Sequence, residues 1–308
     1  MDKMRALEVL VCVVEHGSFT RAAAATGRTQ QALSKGIQAL EQQLGLSQPA
    51  WLRYGQWLAG LAHGHMGTSH AYGSPVAGLI AQRMALTVPL ALLAMLMTAV
   101  LAVLVGVYAA ARHRRLGDYV VMGVTQMGMA VPNFWFAILL ILVFSVQLRW
   151  FGAGGFDGWG KHPASWLHGV KSLLLPALSL AVVQTAILAR ITRAAVLEVL
   201  HEDFVRTARA KGLTQRAALW GHVLRNAMVP VVTVMGLQFA ELLAGTIVVE
   251  NVFYLPGLGR LIFQSISNRD LIVVRNCVML LAAMVVIVNF VVDILYAVID
   301  PRVKASDI

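Results

Sequence analysis

Five stretches of the chain, at roughly 84–111, 119–146, 172–189, 229–249 and 273–297, are apolar with little polar interruption. Each approaches or exceeds the ~20 residues a helix needs to cross a bilayer. The run MALTVPLALLAMLMTAVLAVLVGVYAAA, starting at Met84, is apolar around its whole circumference, so its neighbours must be lipid or other apolar helices. The 172–189 segment is the shortest and holds Pro176 and Gln184, both tolerable where neighbouring helices meet the freed polar groups. The pattern predicts an all-α membrane protein of about five transmembrane helices. Pro89 and Pro176 are read as bends, and Pro132, followed by Asn133 and Phe134, as a kink able to shape a pore.

Residues 1–45 follow a different rhythm. Ser18 is placed as an N-cap, Phe19–Ala25 as a helix of small residues, Gly27 as a turn, and Gln30 to Leu44 as a second helix. That is helix-turn-helix spacing. The opening apolar run is broken by Glu8 and ended by Glu15 and His16, which predicts no signal peptide.

Composition supports the membrane assignment: 58% of residues are hydrophobic and 13% charged, with mean hydropathy +0.70, against about 25% charged in soluble domains. The net charge of +10 could point to nucleic acid, so its distribution matters. In alternate loops, one side carries 12 lysines and arginines, at 112–115, 190–225 and 302–304, and the other carries 6. The richer side is cytoplasmic by the positive-inside rule. This sets the C-terminus and the long 190–228 loop inside and the residues just before Met84 outside. Nothing in residues 1–83 is long and apolar enough to carry the chain outward. Cys12 and Cys277 lie far apart with no metal-ligand spacing, so neither a disulfide nor a metal site is expected.

The 198–230 loop reads EVLHEDFVRTARAKGLTQRAALWGHVLRNAMVP, with helix formers on both sides of Gly212. Helix, glycine turn and helix make a compact knob able to dock in a groove of another protein. A solvated basic loop is the plainer alternative. Here Arg206-Thr207-Ala208-Arg209-Ala210-Lys211-Gly212 resembles the coupling motif of ATP-binding-cassette importer permeases, in the form typical of the dipeptide/oligopeptide/nickel subfamily. His222 to Pro230 resembles that subfamily's "HALRNALIP". The resemblance covers residues 46–303. It includes LGLSQPAWLRYGQWLAGLAHGHMGTS, Val131 to Trp135, Val249-Glu250 through Pro256-Gly257-Leu258-Gly259-Arg260, and a closing Asp300-Pro301-Arg302.

The resemblance implies that residues 46–83 are a periplasmic-type segment and that 84–303 form the transmembrane domain, with 190–228 as its coupling loop. It implies a homologous second permease, two ATPase subunits and a periplasmic substrate-binding protein as partners, in the bacterial inner membrane. The cargo would be a peptide or a related small solute. No phosphate-binding G-x-x-x-x-G-K-[ST] loop occurs, so ATP hydrolysis is assigned to the partners, and no cofactor or enzymatic activity is expected.

Glu241, inside the 229–249 stretch, is costly there unless paired or wet. With Pro132 and Asn133 it forms the candidate translocation pathway; an interface pair or an outer-surface position is the alternative. Asn289 and Asp293, four residues apart, read as framework. The 250–272 segment is read as a packed outer loop, with a re-entrant or surface helix as the alternative, and Trp150, Phe151, Trp159 and Trp166 as interfacial aromatics.

Gly17-Ser18-Phe19-Thr20-Arg21-Ala22-Ala23, followed by Gln30-Gln31-Ala32-Leu33-Ser34-Lys35, resembles the start of LysR-type regulators. That resemblance would make Gln30, Gln31, Ser34 and Lys35 DNA-facing. It stops near residue 45, before a wing or effector domain, while the permease resemblance lacks its usual first membrane helix. A gene fusion or altered start joining at Leu44–Ala50 is therefore expected, and DNA is not expected as a partner. A membrane-tethered regulator or an inactive fusion relic is the competing reading.

Overall fold

The structure is a computed structural model that describes residues 3–43, 48–156, 158–160 and 163–299. It divides into two compact units, Met1–Met66 and Gly67–Ile308.

The first unit holds α1 (Lys3–His16), α2 (Phe19–Thr26), α3 (Gln30–Gln43) and α4 (Ala50–Ala62). Ser18, in extended conformation, caps α2 by accepting the Arg21 N–H, and Gly27 ends it at φ 62°, a left-handed conformation that glycine reaches without a Cβ penalty. The Thr29 hydroxyl accepts the Ala32 N–H at the head of α3. Ala22 and Leu33 are buried, with Cys12, Val13, Phe19, Ala23 and Ile37 packed around them. The capped turn at 18–27 thus sits where the sequence pattern sets it. At 13 residues, α4 is about 20 Å long, too short to cross a bilayer.

The second unit holds α5 (Val76–Ala111), α6 (Leu116–Ala130), α7 (Asn133–Leu140, continued by wider π-type turns over Ile141–Gln147), and α8 (Pro163–Leu200). Then come α9 (Asp203–Ala210), α10 (Gln215–Ala218, joined by π-type turns over Leu219–Val223 to the next helix), α11 (Leu224–Val252), α12 (Leu258–Ser267) and α13 (Leu271–Ile299). Among the described residues, four helices are long and apolar enough to cross a membrane, five if α6 and α7 count as one broken span.

Three differences from the hydropathy pattern have physical causes. The first span's helix begins at Val76, not near 84, because Val76 and Ile80 are buried while the intervening Gln82 and Arg83 dilute the apolar signal. The third extends from 172–189 to Pro163–Leu200, because its inner extension is amphipathic and buries Ala195 and Val196. Pro132 marks more than a kink. The chain turns by 103° between α6 and α7, with Val131 and Pro132 both extended. Pro132 cannot donate the backbone bond that would continue α6, and it disfavours helical geometry at Val131.

Two apolar clusters lie along the unit. One gathers Leu86, Leu90, Ala94, Leu173, Leu180, Leu242 and Phe253; the other gathers Ala102, Val107, Leu188, Val196, Val205, Val223 and Ala227. The α5–α8 crossing is close at Gly106, where an added Cβ would lie 2.6 Å from the Thr192 Cβ and 2.7 Å from the Ala189 carbonyl oxygen. That oxygen belongs to backbone and has little room to yield. Gly106→Ala is therefore expected to cost about 1–3 kcal/mol, read as a lower thermal-unfolding midpoint of the detergent-purified protein; an unchanged midpoint would refute the close crossing.

Candidate functional site

The motif Arg206 to Gly212 occupies a polar knob at one end of the helix bundle. In α9, Val205 is 2% exposed and anchors the knob in the second apolar cluster. Arg206, Thr207, Arg209, Ala210 and Lys211 are exposed, and Ala208 is half-buried. Arg206 meets Asp203 at 3.4 Å, with both side chains largely in solvent, a pair of small energetic value. Gly212 has φ 93°, which reverses the chain between α9 and α10. Thr214 then caps α10 by accepting the Ala217 N–H. Ala218, Leu219 and Val223 are buried, and the chain runs without a break from α10 into α11. Phe204, Leu213 and Trp220 remain exposed on the knob.

Beside the knob, Asp118 is 2% exposed and receives both Arg193 donors, Nε on Oδ1 and Nη2 on Oδ2, each at 2.7 Å. The fork also lies 3.0 Å from the His113 Nδ1, and the Arg114 N–H donates to Asp118. This bidentate pair ties the head of α6 and the turn before it to α8. In the sequence Arg193 reads only as loop charge; the signal for its partner is Asp118, a lone acid in an arginine-rich turn at the start of an apolar helix.

At the opposite end, Glu250 is fully buried. Its carboxylate accepts the Thr87 hydroxyl at 2.6 Å, the Gly259 N–H at 2.7 Å and the Arg260 N–H at 3.3 Å, while Leu258 N–H donates to the Thr87 oxygen at 2.8 Å. The carboxylate thus closes the N-terminus of α12, where free N–H groups favour an anion. A Cβ at Gly257 would collide with that carboxylate, and one at Gly259 with Ile247, which accounts for the Pro-Gly-Leu-Gly run. The 250–272 segment therefore contains a short helix, α12, that buries Leu258, Leu261 and Ile262 on its own neighbours. Nearby, Asp270 accepts the Ser69 hydroxyl and the Ala71 and Val273 N–H groups. Burial opposes ionisation of Asp270, but the Ser69 hydroxyl and these backbone donors outweigh it and hold its carboxyl below the usual range.

The pathway candidates lie at the head of α7 and on α11. Asn133 begins α7 at the break after Pro132, and its amide nitrogen lies 3.5 Å from where a Cβ on Gly245 would be. Glu241 is exposed one turn from Gly245 on the same face of α11. Gln30, Gln31 and Lys35 are exposed at the head of α3, and Ser34 is half-buried. Trp159, among the outer-loop aromatics, donates to the Ala85 carbonyl at 2.7 Å and stacks near Trp166 and Phe156. The Asp300-Pro301-Arg302 ending, Lys304, Lys161, the Asp293 side chain and part of the Leu44–Ala50 join lie outside the described residues.

Residues 102–305, two thirds of the chain, match the family model described as the binding-protein-dependent transport system inner membrane component. The chain belongs to that family. It is thus a multi-pass component of the inner membrane. A peptide transport system permease protein of Brucella abortus (strain 2308) is 43% identical over 268 residues, covering 87% of this chain and 84% of the relative. The dipeptide transport system permease protein DppB of Alkalihalophilus pseudofirmus is 36% identical over 293 residues, covering 89% and 88%. The oligopeptide transport system permease protein AppB of Bacillus subtilis is 39% identical, covering 84% and 82%. An inward-facing structure of the MetNI methionine ABC transporter shares the fold, with a TM-score of 0.60 at 17% identity over 72% of this chain and 97% of that one. Residues 4–47 separately match the model of the bacterial regulatory helix-turn-helix protein, lysR family.

Because the Asp270 pKa is lowered in the folded protein, its stabilising contribution is present above the unfolded carboxylate pKa and is lost as pH falls through the folded value. The 67–75 segment is therefore expected to become protease-sensitive only below about pH 4. Asp270→Asn should make it sensitive at neutral pH as well. Equal cleavage of both proteins at pH 7 would refute the clamp.

Proposed function

We propose that the chain is the permease subunit of an ATP-driven importer that moves peptides or a related small solute inward, with Arg206 to Gly212 as the element that receives the ATPase stroke. The exposed knob, anchored by Val205 and continuous with α11, carries this reading: a partner that grips it pulls directly on a membrane-spanning helix. The names of the relatives, which print peptide, dipeptide and oligopeptide transport, support the cargo class.

The partners in this reading are a homologous second permease, two ATP-binding-cassette ATPase subunits that hydrolyse the ATP, and a periplasmic substrate-binding protein. Glu241, Pro132 and Asn133 line the path in this reading, supported by the approach of the Asn133 amide to Gly245, one turn from Glu241. Residues 46–83 form the outer segment that leads into the transmembrane domain of 84–303, its last residues from Val76 already belonging to α5. The helix-turn-helix of residues 1–45, supported by the match over 4–47, is a folded appendage. DNA is not a partner, because the charge-based topology sets residue 83 outside and DNA lies inside.

The test is co-purification from membranes with the ATPase subunits, comparing the native chain with Gly212→Asp. No neighbour lies within 4 Å of a Cβ at residue 212, so the substitution strains only the left-handed turn, by about 1–3 kcal/mol. The native chain is expected to retain the ATPases and the variant to lose them while remaining inserted. Equal retention by both would overturn the coupling role.

A further inference from the structure

A groove of about 250 Å³ opens at the inner end of the bundle, lined by Ala110, Ala111, Arg112, Arg115, Leu200, Gln215, Arg216 and Leu219. Three of these residues are arginines and none is acidic. The ion pairs of the nearby acids Asp118 and Asp203 go to Arg193, His113 and Arg206. The three groove arginines therefore face it with no carboxylate partner.

Their backbone is held in place. Asp118 accepts the Arg114 N–H while gripping Arg193, and the Arg115 N–H donates to the Arg112 carbonyl, which closes the turn. Arg112 stacks over the Tyr108 ring at 4.8 Å. Gly117 leaves room for both, since a Cβ there would lie 3.2 Å from the Tyr108 hydroxyl and 3.4 Å from the Arg112 Cδ.

We propose that this groove binds the phosphate headgroup of an anionic phospholipid of the inner leaflet. Its position selects a lipid over an acidic protein surface. Ala110 and Ala111 are the last residues of a 36-residue apolar helix, so the groove lies where acyl chains give way to headgroups. Leu116 and Tyr119, on the next turn, are 79% and 66% exposed, as side chains that meet lipid would be. Guanidinium groups match phosphate oxygens in bidentate geometry, and basic pockets between helices on this side suit anionic headgroups. Alanine and leucine walls accept the glycerol and upper acyl chain. The groove shares α10 with the knob but uses none of Arg206 to Gly212, so loss of lipid binding and loss of ATPase retention are read separately.

The test is native mass spectrometry of the full chain released from detergent after titration with phosphatidylglycerol, with phosphatidylcholine or with inorganic phosphate. The native chain is expected to hold one phosphatidylglycerol in preference to phosphatidylcholine. A triple variant, Arg112→Gln, Arg115→Gln and Arg216→Gln, should bind it about tenfold or more weakly. Arg21→Gln with Arg28→Gln, which removes two exposed arginines of the first unit, should bind it normally. The single variant Arg216→Gln should show a partial loss and guards against misfolding of the triple. Unchanged retention in the triple variant, equal binding of both lipids, displacement by millimolar inorganic phosphate, or protection of the arginines by the ATPase subunits alone would each overturn the proposal.

Discussion

A carboxylate held in an apolar bundle must be matched by donors in place, because neither lipid nor packed side chains solvate it. The second unit uses that constraint three times, each time near the end of a long helix. Asp118 joins the head of α6 to α8 through Arg193; Glu250 joins α11 to α5 through Thr87 and to α12 through its free N–H groups; Asp270 joins the start of α13 to the 67–75 segment. Between these ends the helices associate through close packing of small residues, at Gly106 against Ala189 and Thr192 and at Gly236 against Val292. Apolar helices gain little from meeting one another in lipid, so small residues and paired polar groups supply the specificity.

The arrangement has a mechanical consequence. Val205 fixes α9 to the inner apolar cluster, and α10 passes through the π-type turns into α11 without a loop. A displacement of the knob is therefore carried into α11 rather than absorbed in a flexible connection. At its far end α11 terminates in the Glu250 clamp, so inner and outer ends share one helix. The π-type turns at Leu219–Val223 are the place in this line where the helical ladder is loosened, as such turns are where helices most readily adjust.

Much of this was legible in the sequence, and what was not has identifiable causes. The spans and the helix-turn-helix could be read because their signals are local: apolar runs, Ser18 before Phe19, Gly27 after Thr26. The glycine turn at 212 was legible for the same reason. Helix ends failed at Val76 and Leu200, because amphipathic extensions pack against neighbours that a hydropathy window does not see. The 103° turn at Pro132 was underestimated, since a proline in a span permits anything from a slight bend to a full break, and packing decides between them. The partners of Asp118 and Glu250 lie 75 and 163 residues away. The pattern near Glu250 was visible as Pro-Gly-Leu-Gly, yet its cause, a carboxylate seated against the glycines, depends on tertiary structure.

Pairing also sorts the acids of the second unit. Glu250 is consumed by Thr87 and the head of α12, and Asp118 by Arg193. Glu241, on a membrane-spanning helix, has no hydrogen bond or ion pair among the described residues and is exposed. An ionised carboxylate facing hydrocarbon costs a few kcal/mol, so a face bearing one is better suited to water or to a second subunit than to lipid. One turn away, the space beside Gly245 is bounded by the Leu180 side chain, 3.3 Å from where a Cβ would lie, and by the Asn133 amide at 3.5 Å, at the break between α6 and α7. A broken helix exposes backbone polar groups that lipid cannot satisfy but packed protein or water can. The break at Pro132 and the unpaired acid at Glu241 thus make the same demand of their surroundings, for water or a second subunit in place of lipid.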